Sequence, residues 1–238
     1  MTDAPFSTDH PISPDGPRRP SLLVFDVNET LSDMAPMAGR FEDVGAPAHL
    51  AKLWFAELLR DGFALTASGD IESFATLGAE ALRVRLGGLS LERPLDDAVE
   101  HVMQGFSELS VHPDVVVGVR ALSELGIRLV TLSNGSATVA DTLLQGAGVR
   151  DRFDRLLTVE DAGVWKPAAR AYAYALEVCG VEPEDAMLVA VHPWDIDGAS
   201  RAGLATAWID RSGGHYPSYF AAPDVEAASL VELADALR

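Results

Sequence analysis

A single cysteine, Cys179, occurs in 238 residues. The chain can therefore form no internal disulfide and offers no thiolate cluster to a metal, and a reducing cytoplasm is its expected compartment. Basic residues are also scarce. Eighteen Lys and Arg stand against 36 Asp and Glu, a formal charge of -18, and that field repels nucleic-acid phosphates and anionic lipid heads. Neither a nucleic acid nor a membrane surface is an expected partner. A small anionic substrate stays open, because a pocket can be locally positive inside a negative globule. Long apolar runs are missing too: the richest, such as Val115 to Val119 and Met187 to Val191, fall far short of the ~20 residues a membrane helix needs. The chain is not expected to span a bilayer. It has no internal repeat and no low-complexity run beyond its N-terminus.

Apolar residues make up 48% and charged residues 23%, the balance of a folded globular chain. The length suits one large domain, or one domain with an insert, able to bury roughly 70–75% of its unfolded surface. Residues 1–20 hold five prolines and only Phe6 and Ile12 as sizeable apolar groups. They lack the apolar core of a secretion signal and read as a flexible tail.

From Ser21 onward, short apolar runs alternate with longer helical stretches. Leu22 to Val27, Ile127 to Leu132, Leu156 to Val159, Met187 to Val191 and Thr206 to Ile209 suit strands buried on both faces. Between them, Val115 to Leu125, Ala137 to Ala147, Ala168 to Cys179 and Asp195 to Ala202 carry apolar residues three or four apart, and Gly126, Gly148, Gly180 and Gly203 stand where helices would stop. This alternation predicts an α/β fold, a Rossmann-like doubly wound parallel sheet with helices on both faces. The interval after the first strand breaks the pattern. From about Pro47 to Ser107 the periodicity is helical throughout, over His49 to Arg60, Ile71 to Leu86 and Asp96 to Ser107, with Gly62, Gly69 and Gly87-Gly88 as separators. The expected organisation is a core of residues 21–34 and 112–238 with a helical cap, 35–111, inserted after strand 1 and lying over the carboxyl edge of the sheet.

Open parallel sheets bind ligands beyond the carboxyl ends of their strands, so chemistry is sought there. Strand 1 runs into Asp26-Val27-Asn28-Glu29-Thr30, strand 2 into Ser133-Asn134-Gly135, and strand 4 into His192-Pro193-Trp194-Asp195; Lys166-Pro167 precedes a helix after strand 3. Each feature alone reads as a cap, a turn or a solvated side chain. Together, an aspartate, a hydroxyl residue, a lysine and a second aspartate at successive strand ends converge on one crevice.

Asp26-x-Asn28-x-Thr30-Leu31, Leu132-Ser133-Asn134-Gly135, Lys166-Pro167 and Trp194-Asp195-x-x-Gly198-Ala199-x-x-Ala202-Gly203 resemble the four motifs of the haloacid dehalogenase superfamily, over residues 21 to about 212. Within it the pattern is most similar to the type II, L-2-haloacid dehalogenase branch. Phosphatases of that fold place a second Asp two residues after the nucleophile, where this chain has Asn28, and a Gly-Asp pair where it has Ala190 and Val191. Magnesium takes oxygen ligands, and Val191 can supply none.

The resemblance implies that Asp26 attacks the carbon beside a substrate carboxylate, expels halide and forms an ester that water then cleaves. It implies that Thr30 and Ser133 orient Asp26 or the substrate, that Asn134 holds the departing halide and that Lys166 supports Asp26. Tyr172 would supply a hydroxyl, Asp195 would position or activate the water, and Asn28 and Trp194 would face the substrate. The better-known dehalogenases carry an arginine after a Leu-Trp pair; here Leu53-Trp54 is followed by Phe55, an apolar wall that favours the smallest acids. They also commonly have an asparagine at the position of His192, which either orients or deprotonates the water or is a structural histidine. The expected activity is conversion of small 2-haloacids to 2-hydroxy acids without cofactor or metal, with a homodimer left open as the assembly. A magnesium-dependent phosphatase and a non-catalytic small-acid binder are the alternatives.

Overall fold

Leu22–Phe25, β1, exposes none of its four side chains, as befits a strand covered on both faces. The computed structural model describes residues 19–238, so most of the tail expected over residues 1–20 lies outside the described residues. After β1 come four helices: α1 (Met37–Glu42), α2 (Leu50–Ser68), α3 (Phe74–Leu86) and α4 (Leu95–Ser107). The remaining elements alternate. They are α5 (Val115–Glu124), β2 (Arg128–Ser133), α6 (Ala137–Gly146), β3 (Arg155–Thr158), α7 (Val159–Ala162), α8 (Ala169–Cys179), β4 (Ala186–Ala190), α9 (Pro193–Arg201), β5 (Ala205–Ile209), β6 (Val225–Ala227) and α10 (Leu230–Ala236).

The strands form one parallel sheet in the order β3-β2-β1-β4-β5-β6, the α/β architecture expected. The order reverses around β1, which pairs with β2 on one side and β4 on the other. Phe25 lies level with Thr131 and Val189, so the ends of β1, β2 and β4 open on one crevice, the place such sheets reserve for ligands. Alternation along the strands divides the core. Leu23, Phe25, Leu129, Met187 and Val189 pack toward α5, α6 and α10; Leu22, Val24, Val130, Leu132 and Leu188 pack toward α8, α9 and the four helices that follow β1.

Gly126, Gly148, Gly180 and Gly203 all take positive φ at helix ends, as their positions predict. Gly62 does not separate two helices. It lies inside α2, which runs on to a left-handed stop at Gly69, and a Cβ there would come within 2.5 Å of the Trp165 ring. The missing side chain admits an indole and leaves the helix unbroken. The helix expected from Ile71 begins at Phe74, where the Ser73 hydroxyl accepts from the Thr76 N–H. No helix among the described residues is long and apolar enough to cross a membrane.

Candidate active site

The turn after β1 is built to present one carboxylate. Asp26 donates its N–H to Val189 O at 3.0 Å, adding a rung to the β1–β4 ladder. The chain then doubles back, with Leu31 and Ser32 both donating to Val27 O and Glu29 at φ 63, a left-handed conformation uncommon for a non-glycine residue. His112 Nε2 donates to Glu29 O at 2.9 Å, and Arg211 donates twice to Thr30 O while paired with Asp114 at 2.7 Å. This folding back brings Thr30 beneath Asp26. Thr30 Oγ1 accepts from the Val191 N–H at 3.1 Å, so its own proton points to Asp26 Oδ2, 2.6 Å away.

The other oxygen, Oδ1, accepts from Lys166 Nζ at 2.9 Å, and the same ammonium donates to Asp195 Oδ2 at 2.6 Å. Asp195 Oδ1 accepts from the Tyr172 hydroxyl at 2.6 Å. Lys166, Asp195 and Tyr172 are wholly buried and Asp26 is 3% exposed. Five sequence-predicted residues therefore form one connected chain, Thr30–Asp26–Lys166–Asp195–Tyr172. A single cation lies between two carboxylates, and the two do not respond alike. Burial works to raise Asp26, but the Lys166 and His192 charges and the hydrogen bonds from Thr30 and Lys166 outweigh it and hold Asp26 below the ordinary range. Asp195 is raised by burial and by the Asp26 charge, with Lys166 only partly offsetting them. Lys166 is pushed down by burial and raised, on balance, by its two carboxylates. Tyr172 is raised well above its usual value by burial and by Asp195.

Several distant segments hold Lys166. Its backbone N–H donates to Asn134 Oδ1 at 3.0 Å, and Asn134 Nδ2 donates back to Lys166 O at 3.4 Å. Its neighbour Trp165 donates its backbone N–H to Thr66 Oγ1 and its indole N–H to Glu72 O, both at 3.0 Å, and stacks on Phe74. The helices after β1 thus grip the lysine loop. Gly198 keeps the other side clear: a Cβ there would stand 2.6 Å from both Pro167 Cβ and the Tyr172 hydroxyl.

Other expected residues sit elsewhere in the site. Ser133 Oγ accepts from the Gly135 N–H at 2.8 Å, and Asn134 has both ends of its amide on the Lys166 backbone. Trp194 stacks on His192 with centroids 4.9 Å apart, and its ring lies 5.9 Å from Lys166 Nζ. Phe55, on α2, has its ring centroid 6.5 Å from that of His192, with 29° between the planes. His192 and Phe55 belong to the wall of a 690 Å³ cavity between α1, α2 and the segments after β4 and β5, so His192 stands where the cavity meets the buried carboxylates. Glu29, His112 and Arg211 were not anticipated. Arg211 follows β5, and extending the strand-end rule to that strand would have found it.

The donor set fits no divalent cation. Both Asp26 oxygens are taken, the Val191 side chain is hydrocarbon and its carbonyl accepts from the Trp208 indole N–H at 2.9 Å, and the Asn28 carbonyl accepts from His192 Nε2 at 3.2 Å. Among the described residues no group of three His, Cys, Asp or Glu side chains is placed to hold a metal.

A family profile described as haloacid dehalogenase-like hydrolase matches residues 20–203. An (S)-2-haloacid dehalogenase from Pseudomonas sp. (strain YL) is 30% identical, over 87% of this chain and 90% of the relative. The haloacetate dehalogenase H-2 of Moraxella sp. (strain B) is 28% identical over 85% and 91%. Among solved structures, the L-2-haloacid dehalogenase of Xanthobacter autotrophicus with chloropropionic acid covalently bound superposes with a TM-score of 0.80 at 26% identity, covering 92% of this chain and 98% of that one.

Proposed function

Because the chain belongs to the haloacid dehalogenase-like hydrolases, we propose that it is a hydrolytic dehalogenase of small 2-haloacids, working through an ester on Asp26. The observation that carries this reading is the state of that carboxylate. Asp26 is buried and kept ionised by Lys166, and its second oxygen lies 3.6 Å from a residue of the cavity wall. An ionised carboxylate stripped of water and held in one orientation is an effective nucleophile at carbon.

In the first step an Asp26 oxygen bonds to C2 of the substrate, and the carbon–halogen pair of electrons leaves with the halide. Water next adds to the Asp26 carbonyl carbon. The bond from that carbon to the substrate oxygen breaks, and one water proton passes to the departing alkoxide, giving a 2-hydroxy acid. The second water proton leaves as Asp26 re-ionises, so each turnover releases one halide and one proton. Asp195, raised by burial, is the base that suits the water step, and Lys166 steadies the negative charge on either carboxylate as it shifts between them. Residues 35–111 serve as a cap on the core of 21–34 and 112–238, since α2, α3 and the turn between them hold the lysine loop through Thr66, Phe74 and Glu72. The chain's acidity and single cysteine suit a cytoplasmic enzyme.

Halide release from chloro-, bromo- and fluoro-substituted acetate and propionate tests the proposal. Halide should appear in step with 2-hydroxy acid. Phosphate release from phosphomonoesters with magnesium, in the absence of any halide release, would replace it with a phosphatase, and silence in both assays with a binding domain.

A further inference from the structure

The hydroxyl that orients Asp26 stands on a turn that needs outside support. Thr30 follows Glu29, whose φ of 63 persists in a non-glycine residue only where its surroundings fix it. The direction of the Thr30 side chain is set by the two planar peptide units that flank its Cα. The second of these, between Thr30 and Leu31, is held at both edges. The Leu31 N–H donates to Val27 O at 2.8 Å, and Thr30 O accepts from Arg211 Nη2 at 2.8 Å and from Arg211 Nε at 3.2 Å. A carbonyl oxygen has two lone pairs, and a single guanidinium takes both. Thr30 is wholly buried, so its carbonyl has no bulk water to turn to if those donors are lost.

Arg211 is itself held from several sides. It follows β5 directly, in a turn closed by Asp210, whose Oδ1 accepts from the Ser212 N–H at 3.1 Å and the Gly214 N–H at 3.0 Å. Its Nη1 donates to Asp114 Oδ1 at 2.7 Å, and Asp114 Oδ2 accepts from the Leu230 N–H, at the start of α10, at 2.8 Å. The Arg211 and Asp114 side chains are only 16% and 17% exposed. The pair with Asp114 is enough to tie the end of β5 to α5 and α10. The two bonds to Thr30 O add a hold on the turn after β1, one residue's length from the hydroxyl that meets Asp26 Oδ2 at 2.6 Å.

Resting on the dehalogenase reading, we infer that Arg211 is a positioning residue for the attack at carbon: its two bonds to Thr30 O aim the Thr30 hydroxyl, and through it the Asp26 carboxylate. Asp26 has one oxygen on Lys166 and the other on Thr30. Without the second bond the carboxylate is free to turn, and the attacking oxygen leaves the line on which it meets carbon. That loss falls on kcat rather than on binding.

The test separates positioning from support of the fold. Arg211→Met keeps an unbranched apolar stem and removes the donors. Its kcat for 2-chloropropionate should fall roughly tenfold to a hundredfold, the scale of a small displacement at a reacting centre, with KM nearly unchanged. Thr30→Val removes the hydroxyl itself, so the double variant should be no slower than the slower single one, because a residue that acts through Thr30 has nothing left to position. Arg211→Lys, which offers an ammonium in place of the fork, should recover part of the loss. Losses that multiply in the double variant overturn the inference, as does a wild-type kcat in Arg211→Met. The carboxyl 13C signal of Asp26 at neutral pH, assigned with Asp26→Asn, needs no turnover. Arg211→Met should move it in the direction that Thr30→Val does, and an unmoved signal overturns the inference. If Arg211→Met lacks a cooperative melt, Arg211→Lys takes its place in both measurements, with smaller effects expected and the same results overturning the inference. Halide release by the wild-type enzyme is scored first: its absence refutes the dehalogenase reading, and the Asp26 signal still decides on Arg211.

Discussion

Replacing Lys166 by Met removes the one cation between Asp26 and Asp195 while nearly preserving the side chain's volume. Both carboxylates are then buried without a counter-charge, and breaking a buried pair by deleting one partner costs about 3–5 kcal/mol. At roughly 2–4 °C per kcal/mol for a chain of this size, the melting temperature should fall by about 6–20 °C at neutral pH. The deficit has a definite pH dependence. With the ammonium gone, burial and mutual repulsion raise both carboxyls, and a group raised in the folded state gives its full stability below its unfolded pKa and loses it as pH rises through the folded value. The variant should therefore recover toward the wild type in acid. In the wild-type protein Asp26 is held below the ordinary range, so its contribution is present across the same span and fails only in stronger acid. Thermal melts of both proteins at about pH 5 and pH 8, followed by circular dichroism, measure the difference. A deficit below about 2 °C at pH 8, or one equal at both pH values, would refute the claim that Lys166 neutralises the pair.

Thr30→Val should leave the Val191 N–H without its acceptor, a cost of about 1–3 kcal/mol. Because Asp26 also loses a hydrogen bond that lowers it, the acid limb of the kcat/KM profile should move to higher pH; an unmoved limb contradicts the role given to that hydroxyl. Gly198→Ala should destabilise by roughly 1–3 kcal/mol through overpacking and slow turnover by displacing Tyr172 from Asp195, and a variant that melts and turns over like wild type would show that the close approach at Gly198 is unimportant. Because the residues around Asp26 form no divalent-cation site, EDTA should leave the rate of halide release unchanged, whereas loss of rate restored by magnesium would contradict that reading of Val191 and Asn28.

The strands that build the crevice were legible because a strand covered on both faces must be apolar almost throughout, as Leu22 to Phe25 and Met187 to Ala190 are. Helix ends were legible at Gly126, Gly148, Gly180 and Gly203 for an equally local reason. Shorter elements were not. α1 has six residues, β6 three and α10 seven, too few for a period to stand out, and they form through packing against neighbours distant in sequence. Gly62 misled because its reason is tertiary: it makes room for Trp165, 103 positions along the chain.

The site divides in the same way. The residue types at the strand ends announced an aspartate, a lysine and a second carboxylate, to which the family resemblance added their roles, and strand register brings those ends to one edge. Which partner each oxygen takes was not legible. Asn134 was expected at the departing halide; that its amide also bonds the Lys166 backbone at both ends was not legible in the sequence. The bond from His192 Nε2 to Asn28 O at 3.2 Å depends on the turn after β1, which no residue pattern encodes by itself.

The covalent role of Asp26 is tested most directly by one turnover in oxygen-18 water with enzyme in excess over 2-chloropropionate. If Asp26 bonds to the substrate carbon, its own oxygen becomes the product hydroxyl, and water replaces that oxygen when the ester is cleaved. Mass spectrometry should then find the label in the peptide containing Phe25-Asp26-Val27 and almost none in the 2-hydroxy acid. Label in the 2-hydroxy acid together with an unlabelled peptide would contradict the account, since it would mean that water itself attacks the carbon.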